Sequence, residues 1–268
     1  MNEPTERKFG VPPLGRVELP MLGEALRRAV QDMRRAPLYA LFFAGVYVAF
    51  GWLMLWISLA TGQIYWMVFA VVSFPLIGPF AAVGLYEVSQ RLQNDQPLER
   101  GQIFGVILKQ GSGQLPSLCL VVLMIFLFWL FMVHNVFALF LGYTAMTNIT
   151  TSYDVFLTGQ GLTMLAAGSL VGAGFALVLY SITVIALPML LDREVDFVSA
   201  MIASVSTVVN NPLPMLIWAL FIAGVTFVAM LPAFLGLFLV LPLLGHATWH
   251  LYDLVKAAGE REEGLVTA

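Results

Sequence analysis

The chain has 268 residues, 60% of them hydrophobic and 11% charged, with a formal net charge of −3. Soluble domains carry about 25% charged residues, so this composition excludes a soluble globular fold. The polar tails outside the apolar runs are too short to build a catalytic domain of their own.

Residues 1–20 are polar and read as a flexible cytoplasmic arm. Residues 21–35 follow as an expected helix on the inner leaflet, with an apolar face of Leu22, Ala25, Leu26, Ala29, Val30 and Met33 at helical spacing. Glu24, Arg27, Arg28, Gln31, Arg34 and Arg35 take the opposite side. Pro37 comes next, and the first apolar run starts there. Proline suits the first turn of a helix, where its missing N–H is not needed. It also ends the preceding helix.

The apolar runs are 38–60, 64–86, 116–143, 161–191, 213–232 and 235–255. Each has about 20 residues or more, enough to cross roughly 30 Å of hydrocarbon as a helix. Backbone polar groups in lipid must be satisfied within the segment, which selects helices. The layout before the first run recurs twice. Ile103, Val106, Ile107 and Gln110 precede Pro116. Phe197, Met201, Val205 and Val208 precede Pro212 and Pro214, with Ser199, Ser206 and Asn210 on the polar side. The expected fold is all-α and polytopic: six transmembrane helices as three hairpins over residues 21–257, each hairpin preceded by an interfacial amphipathic helix. Residues 258–268 read as a cytoplasmic tail.

All 13 Lys and Arg residues fall before run one, between runs two and three, between four and five, or after six. Basic residues resist translocation, so both termini are expected in the cytoplasm. Fifteen of the 16 acidic residues agree, and only Asp154 lies across the membrane. Cys119 is the single cysteine, which excludes an intrachain disulfide and a cysteine-based metal cluster. Nothing in the chain interleaves aromatic and basic residues as a nucleic-acid surface does.

Prolines inside the even runs (Pro75, Pro79, Pro188, Pro242) are expected to bend them. Gly161, Gly168, Gly172 and Ala176 form a small-residue stripe for close helix packing. Asn210–Asn211–Pro212 reads as a turn and joint.

In run six, His246, His250 and Asp253 share one helical face. Two readings stand. Histidines at i, i+4 with a carboxylate one turn on can chelate a metal, which makes His246 and His250 metal candidates. They also suit hydrogen-bonded interfacial histidines, with Trp249 and Tyr252 as belt residues. Glu87, Asp192 and Asp253 each end an even run. Packed around a pseudo-threefold axis, they would form a cytoplasm-facing polar vestibule with His246 and His250 above. Haem is rejected, because His134 lies 18 residues beyond Pro116, about 27 Å along a helix, towards the opposite face. No cofactor is expected. No nucleophile elbow, zincin motif or phosphate-binding loop occurs, so no enzymatic activity is expected.

The segments FPLIGPFAAVGLYEVSQRL, ALPMLLDREVDFVSAMIASVSTVVNNPLPMLIWALFIAG and VLPLLGHATWHLYDLV resemble a bacterial integral membrane family classed as domain of unknown function 2189. The resemblance spans roughly residues 20–257. It implies the bacterial inner membrane as location and implies no activity. The expectation is a non-enzymatic accessory, assembly or scaffold protein contacting the lipid bilayer, with a membrane-protein partner or a second copy of itself. The alternative is a small-solute or lipid transporter using the vestibule.

Overall fold

The computed structural model describes residues 8–62, 66–145, 157–232 and 234–267. For the helical residues 66–77, 141–145 and 266–267 it describes the backbone alone. Asp154 and most of the loop 144–160 lie outside these residues, as do residues 1–7 and the side chain of Pro75.

Among the described residues there are ten helices: α1 (Leu19–Arg35), α2 (Pro37–Thr61), α3 (Trp66–Gln93), α4 (Arg100–Gly111), α5 (Leu115–Ala145), α6 (Gly159–Thr183), α7 (Ala186–Asp192), α8 (Phe197–Asn210), α9 (Pro212–Met230) and α10 (Leu237–Thr267). Four stretches are long and apolar enough to cross a membrane: Pro37–Thr61, Leu115–Phe140, Gly159–Asp192 and Pro212–Met230. The chain is thus an all-helical polytopic membrane protein. α3 and α10 occupy the remaining two runs.

The joints fall at the prolines. α1 ends at Arg35 and α2 starts at Pro37, α5 starts one residue before Pro116, and α8 gives way to α9 at Asn211–Pro212. The fourth run is two helices, not one. A proline ring clashes with the carbonyl four residues upstream. For Pro188 that residue is Val184, in the gap between α6 and α7. The buried Ile185 N–H within the gap donates instead to Ser204 Oγ of α8, at 3.1 Å. Pro242, by contrast, sits near the start of α10, and that helix continues through it.

The chain divides into two compact units, residues 1–120 with 181–268, and residues 121–180. In the first unit α10 is the hub, packing against α1, α2, α3, α7 and α9. Surrounded in this way, it buries Ala247, Trp249, Leu251, Tyr252 and Val255 all around its circumference. A helix buried on every side has no amphipathic stripe. Over residues 246–255 its polar residues therefore face protein, while Glu260 to Glu263 in its last turns are exposed. Trp249 and Tyr252 are 2% and 0% exposed, so they are core residues and not a membrane belt.

A second core lies where α2, α3 and α4 meet the α1–α2 joint, built on Ala36, Phe43, Leu85, Val88 and Ile103. Tyr39 closes it by donating to the Leu98 carbonyl at 3.1 Å. Gly84 is essential to this packing, because a Cβ there would run into the Phe43 ring. Gly84→Ala is expected to lower stability by about 2 kcal/mol, the usual cost of overpacking a core, read as a lower melting temperature in detergent.

The short helices depart from their expected faces. α1 buries Leu22, Ala25 and Ala29 and leaves Val30 exposed, and it adds Asp32 to the buried face. α8 buries Ala200, Ser204 and Thr207, while Val198, Ile202 and Val209 point outwards. Its small polar residues meet the protein because α7 and α9 pack close to it.

Both ends of the chain also differ from expectation. From Lys8 the expected flexible arm is an extended strap. Its backbone exchanges hydrogen bonds with Glu194 (Gly10 N–H to Glu194 O, 3.0 Å; Glu194 N–H to Lys8 O, 3.1 Å). Gly15 N–H then donates to Val255 O at 3.0 Å. Val17 N–H reaches the Asn211 side-chain oxygen at 2.9 Å. The joint asparagine thus also anchors the strap. The expected tail 258–268 is instead the last turns of α10, which runs to Thr267.

The second unit contains most of α5 and α6. Its described residues include no Asp, Glu, Lys or Arg. Phe128 meets Phe175 edge-on at 5.7 Å between ring centres. A Cβ on Gly168 would lie 3.9 Å from Val136, and one on Gly172 would lie 3.4 Å from Trp129 Nε1. Gly161 is buried, whereas Ala176 is exposed. The small-residue stripe packs at its glycines and not at Ala176.

Candidate polar site at the helix ends

The five polar residues singled out by sequence do not form one vestibule. They sort into three groups, all in the first unit. The deepest contains His246 and His250 on α10, 0% and 3% exposed. His250 Nε2 lies 2.6 Å from Asp32 Oδ2 of α1, and His246 Nδ1 is 4.0 Å from the same oxygen. His246 Nδ1 also lies 2.7 Å from Ser89 Oγ of α3. One carboxylate therefore faces both imidazoles, on the side where α1, α3 and α10 converge. The His246 Nε2 and His250 Nδ1 atoms are buried and have no hydrogen-bond partner among the described residues.

Sequence inspection passed over Asp32. The signal was available: Asp32 stands seven residues after Ala25 and three after Ala29, in register with the buried face of α1. An acid on the apolar face of an amphipathic helix needs a partner. Ser89 carried no comparable mark.

The second group joins Asp192 at the end of α7 to Asp253 of α10. Lys256 Nζ lies 3.0 Å from Asp192 Oδ2 and 3.5 Å from Asp253 Oδ1. Asp192 also accepts from the Tyr252 hydroxyl at 2.7 Å and lies 3.4 Å from Arg193 Nε. Asp253 accepts from Gln93 Nε2 at 2.6 Å, with Arg28 4.0 Å away. Gln93 Oε1 in turn accepts from Trp249 Nε1 at 3.3 Å. These two carboxylates do converge, but the chain's own cations occupy the space between them.

Glu87 forms the third group. It pairs with Arg91 at 2.6 Å on the same helix, and Arg91 reaches Gln102 Oε1 at 2.6 Å. That arrangement ties α3 to α4.

Among the described residues, no group of three or more His, Cys, Asp or Glu side chains is arranged to hold a metal ion. Asp253 turns to Gln93 and Lys256 rather than completing a chelate with His246 and His250. His134 is exposed on α5. All three groups act as ties between helices at the ends named by sequence.

On the outer face of α1, Glu24 bridges Arg27 and Arg28 at 2.6 and 2.7 Å. The Arg27 hydrogen bond, then that of Arg28, lowers its carboxyl from the ordinary 4.5 to about 2. A depressed carboxyl stabilises the fold above its unfolded value and loses that contribution as pH falls through its folded value. Melting curves should therefore show no contribution from Glu24 titration above about pH 4.5, and a loss between there and about 2. Solvent screens this pair, so Glu24→Gln at pH 7 is expected to change stability by under about 1 kcal/mol.

The decisive comparison is with known families. Residues 67–192 match the model of a predicted integral membrane protein family, DUF2189. The match covers α3 to α7, so it takes in Glu87, Ser89 and Asp192 but not α1 or α10. No curated protein and no solved structure is significantly similar to the chain. The family's description names a membrane setting. The His246–His250–Asp32 group depends on elements that flank the matched segment.

Proposed function

We propose that this protein is a non-enzymatic accessory, assembly or scaffold component of a membrane complex in the bacterial inner membrane. Six helices span the bilayer as three hairpins, both termini are cytoplasmic, and the short helices α1, α4 and α8 lie at the cytoplasmic interface as a threefold internal repeat. The observation that carries the reading is that the ionisable groups at the helix ends are spent on one another. Asp192 and Asp253 share Lys256, Glu87 holds Arg91, and Asp32 holds His250. A catalyst or a coupled transporter needs such groups turned towards a substrate or an ion. Here they fasten α1, α3, α7 and α10 together. The rest of the molecule offers broad apolar faces, such as Leu216, Leu220 and Phe227 on α9.

The outward stripe of Val198, Ile202 and Val209 on α8 supports the interfacial placement, because it continues into exposed Leu213 at the start of α9. Labelling in intact cells tests the topology. With Cys119→Ala as background, Thr151→Cys should react with an impermeant maleimide from outside, and Arg100→Cys only after the membrane is opened. The reverse pattern would sink the model. For the role itself, purified protein in sealed vesicles should pass protons, sodium and potassium no faster than empty vesicles. A flux abolished by Asp192→Asn would instead establish transport.

A further inference from the structure

A second polar feature lies apart from the helix-end ties. Where the strap crosses α8 and the end of α10, it walls a pocket of about 580 Å³. Volumes of this order accept small ligands. The strap wall is pinned on both sides, by Gly15 N–H to the Val255 carbonyl and by Val17 N–H to Asn211 Oδ1. Two lining side chains are already engaged: the Thr207 hydroxyl donates to the Ala203 carbonyl, and Asn211 Nδ2 to the Thr207 carbonyl.

Four others are not. Arg16, Ser206, Asn210 and Glu262 all line the pocket, are exposed, and have no hydrogen-bond or ion-pair partner among the described residues. Arg16 and Glu262 are the notable pair. Asp192 and Lys256, a short distance along α10 and largely buried, close on each other at 3.0 Å. Arg16 and Glu262 do not pair. A ligand that fits between them presents an anionic group to Arg16 and a hydrogen-bonding cation to Glu262. Ser206 and Asn210 add neutral donors and acceptors between the two ends.

The position narrows the ligand further. The pocket is lined by Asn210 and Asn211 of the α8–α9 joint, and exposed Val209 and Leu213 flank that joint. Exposed apolar residues beside two open, opposite charges match a molecule with acyl chains and a zwitterionic head. We infer that this pocket binds the headgroup of a phospholipid carrying a phosphate and a primary ammonium, with phosphate on Arg16 and ammonium on Glu262. A guanidinium suits phosphate because its N–H groups bind two oxygens in parallel. A carboxylate favours a primary ammonium over a quaternary one because only the former donates hydrogen bonds. The site stands whether or not the protein is a scaffold, since none of its four open side chains belongs to the helix-end ties.

The test uses the full chain, stripped of lipid in mild detergent. Phosphatidylethanolamine, phosphatidylglycerol and phosphatidylcholine of equal chain length are added, and bound lipid is counted by native mass spectrometry. The wild type should hold phosphatidylethanolamine about tenfold more tightly than either other lipid, the value of one charge-assisted hydrogen bond. Arg16→Gln should weaken phosphatidylethanolamine and phosphatidylglycerol alike by about tenfold. Glu262→Gln should remove the preference by lowering phosphatidylethanolamine alone. Equal binding of the lipids by the wild type, or a preference that survives Glu262→Gln, overturns the assignment. Free phosphoethanolamine that competes as well as the lipid overturns a membrane source. Both charges are exposed, so the variants should melt as the wild type does. Should either fail to fold, the Ser206→Ala, Asn210→Ala double variant must weaken phosphatidylethanolamine, and unchanged binding would reject the site.

Discussion

Asp32→Ala should be the most destabilising single change in the helix-end ties, at about 3–5 kcal/mol. Removing one partner of a buried pair leaves the other without compensation, and that penalty has this size. Asp32 is 6% exposed and faces His250 at 2.6 Å and His246 at 4.0 Å, with both imidazoles buried. Without it, the nearest partner of His250 Nε2 is gone and α1 loses its buried polar tie to the hub, keeping the longer Arg28–Asp253 approach at 4.0 Å. Thermal unfolding in detergent should show a large fall in melting temperature, and protease should then reach α1. Asp32→Asn, which keeps an oxygen near His250, should fall between the two. The combined change of Asp32→Leu with His250→Leu removes both partners and should recover most of the loss. If the double variant melts as low as Asp32→Ala, the pair is not what fastens α1.

Gly259→Ala should detach the N-terminal strap. A Cβ at Gly259 would lie 2.5 Å from both the carbon and the oxygen of the Pro13 carbonyl. One at Gly15 would lie 2.6 Å from Gly259 N. The opposing atoms are backbone, so no side chain can move aside. Strap and helix must separate, breaking the Gly15–Val255 hydrogen bond and loosening Val17 from Asn211. The expected loss is about 3 kcal/mol, at the upper end for overpacking. New cleavage within residues 8–18 of inside-out vesicles should accompany it. Gly264→Ala, where an added Cβ meets nothing within 4 Å, is the control and should leave both readings unchanged. Strap protection that survives Gly259→Ala would mean the crossing is looser than drawn.

The two substitutions also mark what the sequence could and could not reveal. Apolar length and proline position located the long helices and their joints, because crossing hydrocarbon and losing an N–H act within one segment. Pro188 was read as a bend, yet a full break followed, because Ser204 on another helix was there to take the Ile185 N–H. The faces of the short helices were harder. Periodicity on α8 pointed to Phe197, Met201, Val205 and Val208, whereas close packing with its neighbours buried Ala200, Ser204 and Thr207. Trp249 and Tyr252 resembled belt residues because nothing in one segment tells that α10 is enclosed on every side. The strap was least legible of all. Its crossing rests on Gly15 and Gly259, far apart in sequence and individually ordinary.

The partial site followed the same pattern. His246 and His250 were recognisable from their shared face, and Asp192 and Asp253 from their places at helix ends. Their roles came from residues on other elements: Asp32, Ser89, Gln93 and Lys256. Lys256 is the instructive one, since it turns a would-be cation site into a closed ion pair network.

The most direct measurement of the scaffold role is the native mass of the protein extracted from its own membrane in mild detergent, with every bound chain identified. A component that holds a complex together should be found at fixed stoichiometry with a second protein or a second copy of itself. Asp192→Asn, which removes one charge from the helix-end ties, should leave that stoichiometry unchanged wherever the variant remains folded. A lone monomer under the mildest extraction, together with solute or proton flux that depends on Asp192, would contradict the scaffold role and establish a transporter in its place.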